Sequence, residues 1–97
     1  MARKLIWSIQ AAIQWQDVLD YWRFRHVPPE RVSRYWERMV HRLNQLSRFP
    51  NLGFRHRAKG IYSIRFKSLR IYYEIRQDAV IILGIWHTRR NPDDLPG

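Results

Sequence analysis

Arginine and histidine residues near three predicted strands are the side chains in this sequence best suited to chemistry on a phosphate. Arg65 and Arg70 lie in a segment that holds six lysines and arginines and no acid, residues 55–70. His87 follows directly on an apolar segment, and Arg89 comes two residues later. Arginine binds phosphate through two hydrogen bonds at once, and the unperturbed pKa of histidine lies near neutrality, which suits proton transfer.

Such a set matches the needs of metal-free RNA cleavage. The 2′-hydroxyl must lose a proton, the leaving 5′-oxygen must gain one, and the charge on the phosphorane must be stabilised. We therefore expect the ring of His87 to reach the surface beside the arginines and to transfer a proton. Arg65, Arg70 and Arg89 are expected to stabilise the phosphate. Other contacts to RNA or phosphate are expected from the residues around this set: Arg55, His56, Arg57, Lys59, Lys67, Tyr72 and Arg90.

Two further residues bear on this expected site. His56, in a predicted loop, either contacts phosphate or is simply solvated, and it is the second candidate for proton transfer. Glu74 is expected on the same side as Arg70, in an ion pair with Arg76 or Arg65 or as a general base. The spacing of the residues does not decide between the alternative roles of His56 or between those of Glu74.

The relation between Arg65 and Arg70 depends on the turn that joins them. If residues 66–69 form a four-residue hairpin loop, the two arginines lie opposite each other on one face of the hairpin. Like charges in that position are destabilising by up to about 1 kcal/mol, and a bound phosphate would offset the repulsion. A loop one residue longer or shorter would separate the two side chains.

The composition describes one small, folded and strongly basic domain. The 97 residues carry 18 Lys+Arg against 8 Asp+Glu, a net charge of +10. The hydrophobic content of 45% and the aromatic content of 14% are too high for a disordered basic tail. Fifteen of the 18 basic residues are arginines, which favours a polyanion or an acidic partner over a merely solvated basic face. We expect a single domain over residues 1–97.

Several classes of protein are excluded by what the sequence lacks. It has no cysteine, so a disulfide framework, a thiol nucleophile and a zinc site built on sulfur are excluded. No apolar run approaches the roughly 18 residues that predict a membrane span, and no signal-peptide core is present. No Gly-rich phosphate loop or metal-ligand cluster rises above chance. We therefore expect a cytoplasmic protein without metal or cofactor.

Two helices are predicted to follow a short first strand. Residues 3–7 form the candidate strand, and Ser8 can cap the next helix, which is expected from Ile9 to about His26. A Pro-Pro turn ends it, and the second helix is expected from about Pro29 to Arg48. The apolar stripes of the two helices have helical spacing: Ala12, Trp15, Leu19 and Trp22, then Val32, Trp36, Met39, Leu43 and Leu46.

Three strands are predicted next, because the helical spacing of the apolar residues ends. Alternation predicts a hairpin of residues 61–66 and 70–76, with each strand half-buried. Residues 80–86 are apolar throughout and predict a central strand covered on both faces. The order β-α-α-β-β-β predicts an α+β fold in which a helical hairpin packs on one face of a small, mainly antiparallel sheet.

Four segments make the chain resemble the RelE/ParE superfamily of bacterial toxins from type II toxin–antitoxin systems. They are Leu5–Ser8, Phe49–Gly53, Arg70–Ile75 and Val80–Pro92, of which the last is the most specific. The resemblance implies the same fold and a toxin held inactive by an antitoxin, usually encoded beside it, whose extended segment wraps the toxin. Because this chain is basic, we expect the antitoxin to be acidic and the complex to be a toxin–antitoxin hetero-oligomer.

The resemblance implies one of two activities. RelE-like and YoeB-like toxins cleave mRNA in the ribosomal A site without metal, whereas ParE-like toxins inhibit DNA gyrase. By alignment, Arg65 and Arg70 fall where the nuclease branch places phosphate-handling residues. His87 falls at a catalytic histidine of YoeB-like toxins, and Arg89 falls near a RelE-like arginine.

The sequence also departs from the nuclease branch. Ser63 stands where RelE-like toxins have a lysine, and their C-terminal tyrosine has no counterpart here. The loop of residues 53–60 lacks the catalytic glutamate of YoeB-like toxins. We expect first a ribosome-dependent mRNA endonuclease, second a gyrase inhibitor, and third a catalytically inactive nucleic-acid-binding relative.

Overall fold

Two helices and a five-stranded sheet make up the described part of the chain, residues 2–57 and 60–87 of a computed structural model. The strands are Lys4–Trp7 (β1), Phe54–Arg55 (β2), Ile61–Phe66 (β3), Leu69–Ile75 (β4) and Ala79–His87 (β5). The helices are Ile9–Phe24 (α1) and Pro29–Arg48 (α2), and a short 3-10 helix, Pro50–Leu52, precedes β2. The strand order is β1-β5-β4-β3-β2, with β1 parallel to β5 and the other pairs antiparallel.

The predicted α+β class and the order of its elements are confirmed, with one addition. Both helices cover one face of the sheet, and the uncovered face is called the open face below. The added element is β2, a two-residue strand at the edge of the sheet, which pairs with β3. The sequence predicted a loop there, because two residues are too few to show an alternation.

Helix α1 begins and ends at identifiable backbone signals. The Ser8 hydroxyl accepts a hydrogen bond from the Ala11 N–H at 3.0 Å, as predicted for a capping residue. The helix ends two residues before the expected position, because His26 adopts a left-handed conformation with φ of 58°. The N–H groups of His26 and Val27 then bond to the carbonyls of Arg23 and Trp22, which closes the helix end.

The core lies between the helices and the covered face of the sheet. On α1 the buried side chains are Ala11, Val18 and Trp22, whereas Ala12 is exposed and Trp15 is half-buried. Trp22 is thus buried as predicted, and Trp15 and Leu19 pack against the core, whereas the fully buried positions next to them are Ala11 and Val18 instead of Ala12 and Leu19. On α2 the fully buried set is Tyr35, Met39, Leu43 and Leu46, and Trp36 and Val32 flank it.

Strand β5 carries a bulge that decides which side chains face the helices. Tyr72 of β4 pairs with Gly84 and Tyr73 pairs with Ile82, so Leu83 has no partner on β4. Ile82 and Ile85 are consequently both buried against the helices although they are three residues apart. The expectation that β5 is covered on both faces is wrong, because Trp86 lies on the open face with 63% of its surface exposed.

Tyr73 ties the sheet to the segment that follows α2. Its hydroxyl donates a hydrogen bond to the Pro50 carbonyl at 2.7 Å and accepts one from the Gly53 N–H at 3.0 Å. A Cβ at position 53 would collide with that hydroxyl and with the Ser63 carbonyl, so the close approach requires glycine. Burial raises the pKa of Tyr73, against a smaller lowering by the hydrogen bond at Gly53.

Candidate functional site

The β3–β4 hairpin places Arg65 and Arg70 on the open face. Phe66 pairs with Leu69 across a two-residue turn, Lys67 and Ser68, in which Lys67 has φ of 54°. Arg65 therefore pairs directly with Arg70, which is the register predicted for a loop of residues 66–69, although Phe66 and Leu69 belong to the strands.

The two guanidinium groups are held apart along the face although their backbones are paired. Arg65 Nε donates to the Lys67 carbonyl at 3.0 Å, and Arg70 Nη1 donates to the Ser63 hydroxyl at 3.3 Å. The first bond draws Arg65 toward the hairpin turn, and the second draws Arg70 toward the middle of β3. This divergence reduces the like-charge repulsion expected for a directly opposed pair.

His56 joins Arg70 in a polar cluster built on Ser63. The His56 Nε2 atom lies 2.8 Å from the Ser63 hydroxyl oxygen, the same atom that accepts from Arg70. Ser63 is only 1% exposed, so the hydroxyl is fixed between its two partners. The His56 ring also lies 5.5 Å from the Tyr72 ring, which places Tyr72 on the open face beside the arginines as predicted.

Strand β2 is what brings His56 to this cluster. Phe54 pairs with Ser63, and the His56 N–H donates to the Ile61 carbonyl at 2.9 Å, which continues the pairing by one residue. Side chains two residues apart on a strand share a face, so Phe54 and His56 both lie on the open face. The one signal for this strand in the sequence is Gly53, which marks a close backbone approach but does not by itself indicate a strand.

His87 does not join the arginines. It pairs with Leu69 at the end of β5, and its ring lies 5.4 Å from the Tyr21 ring and 6.4 Å from the Trp22 ring. Both ring nitrogens are buried, so the expectation that the ring reaches the surface beside the arginines is wrong. The bulge at Leu83 is the physical reason, because one extra residue reverses the faces of all later side chains on the strand.

The other predicted site residues are scattered around this face. Arg55 pairs with Tyr62, so its side chain leaves the sheet edge on the side of the helices, and Arg57 is exposed beyond β2. Lys67 lies 5.5 Å above the ring of Tyr35 at the hairpin turn. Three of the predicted residues lie outside the described residues: Lys59, Arg89 and Arg90.

Glu74 has a structural partner. Arg76 Nε lies 2.6 Å from a Glu74 carboxylate oxygen, which confirms the ion pair predicted from the sequence. The carboxylate is therefore engaged by a cation two residues away on the chain. It is the one acid in the five strands of the sheet.

Two exposed aromatic side chains on the open face were not singled out by the sequence. Trp86 pairs in register with Arg70, and Phe54 pairs with Ser63. Their exposed fractions are 63% and 67%, and the Phe54 ring lies 5.0 Å from the His56 ring. Rings this exposed contribute little to the core, so together with the arginines they form a surface suited to planar or anionic groups.

A second concave surface lies between the two helices. Clefts of about 370 Å³ and 270 Å³ adjoin there and share Leu19, Val32 and Ser33. The rings of Trp15 and Trp36 lie 5.3 Å apart beside them. We call this the helix groove; its floor is largely apolar, which suits a segment of another protein.

Within residues 2–57 and 60–87, no three His, Asp or Glu side chains come together in a way that could hold a metal ion. Neither of the two helices described here is long and apolar enough to cross a membrane.

A comparison with protein families gives a match over most of the chain. The matching family is described as the ParE toxin of the type II toxin–antitoxin system, parDE, and the match covers residues 5–92. The chain belongs to this family. Membership of the ParE family confirms the predicted RelE/ParE resemblance and makes the chain a type II toxin–antitoxin toxin of that superfamily. A search of curated proteins found no match.

Solved structures share the fold of this ParE-family chain. One belongs to the chromosomal ParDE system of P. aeruginosa, with a TM-score of 0.73 at 16% identity, covering 91% of this chain and 98% of that one. Another belongs to the RelBE2 toxin–antitoxin complex of Mycobacterium tuberculosis, with a TM-score of 0.59 at 22% identity, covering 90% and 99%. At these identities the likeness establishes the fold.

Proposed function

We propose that this chain arrests growth by inhibiting DNA gyrase. Its membership of the ParE family supports the proposal, because the ParE-like toxins of the superfamily act on gyrase. The observation that carries it is the separation of His87 from Arg65 and Arg70 on opposite faces of the sheet. The set predicted from the sequence for RNA cleavage, His87 as the proton-transfer group with Arg65 and Arg70 on the phosphate, is divided between two faces.

A gyrase assay with the purified chain tests this proposal. The expected result is loss of ATP-dependent supercoiling of a relaxed plasmid and accumulation of cleaved DNA bound to gyrase. The ring of His87 packs on Tyr21 and Trp22, and the proposal gives it no role in inhibition. A His87→Ala variant that remains folded should therefore inhibit gyrase as the parent does. Unimpaired supercoiling at a molar excess of the chain over gyrase would contradict the proposal.

Ribosome-dependent mRNA cleavage is a second candidate, favoured by the His56 cluster. His56 and Arg70 share the Ser63 hydroxyl, and Tyr72 lies beside them on the face that carries Arg65. In this candidate His56 takes the proton of the 2′-hydroxyl as its oxygen bonds to phosphorus, and the two arginines stabilise the phosphorane. The P–O5′ bond then breaks, and the leaving 5′-oxygen takes its proton from the His56 imidazolium or from solvent. It thus replaces His87 by the histidine on the open face.

Cell-free translation distinguishes the second candidate from the first. If the chain cleaves mRNA, primer extension will reveal new ends that require ribosomes and that disappear in His56→Ala and Arg70→Ala. His41→Ala is the matched control, because His41 is an exposed histidine of α2. Intact mRNA with unimpaired translation would rule this candidate out.

An acidic antitoxin is the partner we propose for the helix groove. The groove offers apolar surface beside exposed arginines of α2, and the chain as a whole carries +10. A specific partner needs to bury at least about 1,000 Å² in total, which fits a segment that follows the groove and continues onto the basic surface. A Trp36→Ala variant should bind a co-encoded antitoxin at least tenfold more weakly, as measured by calorimetry.

The proposal also includes where the chain acts. Gyrase, the first target, and the ribosome, the second, are both cytoplasmic, so we propose a cytoplasmic toxin stored as a toxin–antitoxin hetero-oligomer. Fractionation of cells that express both proteins should recover the complex with the soluble cytoplasmic proteins. Recovery in the membrane fraction would contradict this location.

A further inference from the structure

The open face combines unpaired aromatic surface with a pair of arginines. Trp86, Arg70 and Arg65 lie in one row across β5, β4 and β3, because they are paired in register. Tyr72 and Ser63 form the neighbouring row, which ends in Phe54 on β2. Adjacent strands are about 4.8 Å apart, so each row spans roughly 10–15 Å.

The exposure of the rings indicates a role outside the core. Phe54 and Trp86 keep 67% and 63% of their surface in solvent, whereas Tyr73 and Ile71 on the other face of the same sheet are fully buried. The backbone that carries each ring is paired in the sheet. When a ligand stacks on such a ring, little backbone entropy is lost, because the strand is already ordered.

The electrostatics of the face favour an anion. Glu74 is the one acid in the strands, and its carboxylate is paired with Arg76 at 2.6 Å. The guanidinium groups of Arg65 and Arg70 each use one N–H toward a carbonyl or a hydroxyl, and neither has a carboxylate partner among the described residues. Their remaining N–H groups are donors for phosphate oxygens.

We propose that the open face binds single-stranded nucleic acid without cleaving it. Bases stack on Phe54, Tyr72 and Trp86, and phosphates contact Arg65 and Arg70. Stacking on aromatic side chains needs unstacked bases, which a duplex does not offer, and a basic surface between the rings follows the backbone. This activity is additional to gyrase inhibition and does not depend on it.

Fluorescence anisotropy with labelled oligonucleotides tests the proposal on the full chain. The probes are oligo(dT), oligo(rU) and a DNA duplex of the same length. Both single strands should bind at least tenfold more tightly than the duplex; a preference for oligo(rU) over oligo(dT) would identify RNA as the source, and the reverse would identify DNA. A duplex bound as tightly as the single strands would overturn the proposal.

Variants of exposed rings locate the site. Trp86→Ala and Phe54→Ala should each weaken binding about five- to a hundredfold, the range that corresponds to the loss of one base–aromatic stack. Phe24→Ala is the matched control, because Phe24 is also a largely exposed ring but lies at the end of α1, outside the sheet. Equal affinities of Trp86→Ala, Phe54→Ala and Phe24→Ala would overturn the proposal.

Two further readouts separate this proposal from the proposed function. Arg65→Ala and Arg70→Ala should each reduce the slope of log affinity against log salt by about 0.7, the value for one lost phosphate contact to a single strand. Cleavage of the oligo(rU) probe would overturn binding without cleavage. If gyrase inhibition fails while the oligonucleotides bind as described, the proposed function alone is wrong.

Discussion

At the scale of single residues, a few backbone conformations and hydroxyl hydrogen bonds contribute measurably to the free energy of unfolding. His26 is one of them, because a non-glycine residue in the left-handed region is disfavoured by about 1–2 kcal/mol. His26→Gly should therefore increase the free energy of unfolding by about 1 kcal/mol, measured by urea denaturation. The control is Arg25→Gly, at a φ of −86°, which should decrease stability. A destabilised His26→Gly would contradict this interpretation of the helix end.

The hydroxyl of Tyr73 is a second such contact. Tyr73→Phe removes the bond to the Pro50 carbonyl and leaves the Gly53 N–H without its partner, so it should cost about 1–3 kcal/mol of unfolding free energy. Tyr62→Phe is the matched control, because Tyr62 pairs with Tyr73 and stacks on it at 5.7 Å. Equal thermal midpoints of the two variants would show that the hydroxyl contributes nothing.

The raised pKa of Tyr73 also predicts how stability depends on alkaline pH. Burial raises the pKa of Tyr73, and of Tyr35 more strongly, above the unfolded value of about 10. A group whose folded pKa is raised contributes stability that is complete below the unfolded pKa and is lost as pH rises through the folded pKa. The thermal midpoint should therefore fall above about pH 10, and it should fall less steeply in Tyr73→Phe.

At the scale of elements, the half of β5 beyond β1 has no neighbouring strand on that edge. Side chains form hydrogen bonds with its backbone there instead. Strand β1 pairs with Ala79 to Ile82 only. Past this point the Gln14 side-chain oxygen accepts from the Ile85 N–H at 2.7 Å, and the Ser8 hydroxyl donates to the Leu83 carbonyl at 3.2 Å. Helix α1 thus closes the edge that β1 leaves open.

Replacing Gln14 should expose that edge. Gln14→Ala leaves the Ile85 N–H without its acceptor, so unfolding free energy should fall by about 1–3 kcal/mol and amide exchange at Ile85 should accelerate. Gln16→Ala is the control, because Gln16 is exposed and its side-chain amide donates to the Asp20 carboxylate one helical turn away. If both variants exchange at the parental rate, the side-chain cap on β5 has no effect.

The same elements show how far the sequence predicts this structure. The two helices follow from a period of 3.6, and β3 and β4 follow from a period of 2, because each of these elements buries one face along its length. Strand β5 follows from a continuous apolar run instead. The pairing of Arg65 with Arg70 was predicted for one turn length, and the alternative of a longer or shorter loop was open until the structure showed the register. Strand β2 is too short to have a period, so the position of His56 beside Ser63 was not predictable.

The bulge at Leu83 explains the largest error about the candidate site. Continued alternation from Val80 would place Trp86 under the helices and His87 on the open face. One extra residue reverses both, so the tryptophan is exposed and the histidine packs on aromatic rings. A bulge is fixed by tertiary pairing and leaves no pattern in an all-apolar strand, which is why the sequence did not reveal it.

At the scale of the whole molecule, the net charge of +10 should govern the rate at which the chain meets its partner. Raising the salt concentration from 50 to 500 mM should slow association with an acidic antitoxin at least tenfold. Dissociation should change little, because the helix groove is largely apolar. Stopped-flow fluorescence of the tryptophans measures both rates. An association rate independent of salt would contradict electrostatic steering.

The parallel pairing of β1 with β5 has a consequence for the order of events during synthesis. Lys4 pairs with Ala79, so the two partners are 75 positions apart along the chain. While the ribosome makes α1, α2 and the β3–β4 hairpin, Leu5 and Trp7 have no strand to pair with. Trp86 has not yet been made at that stage, so the open face lacks its β5 side chains. Long-range pairs of this kind form late. The open face is therefore completed only after β5 has emerged, which gives an antitoxin already present in the cell the first opportunity to bind.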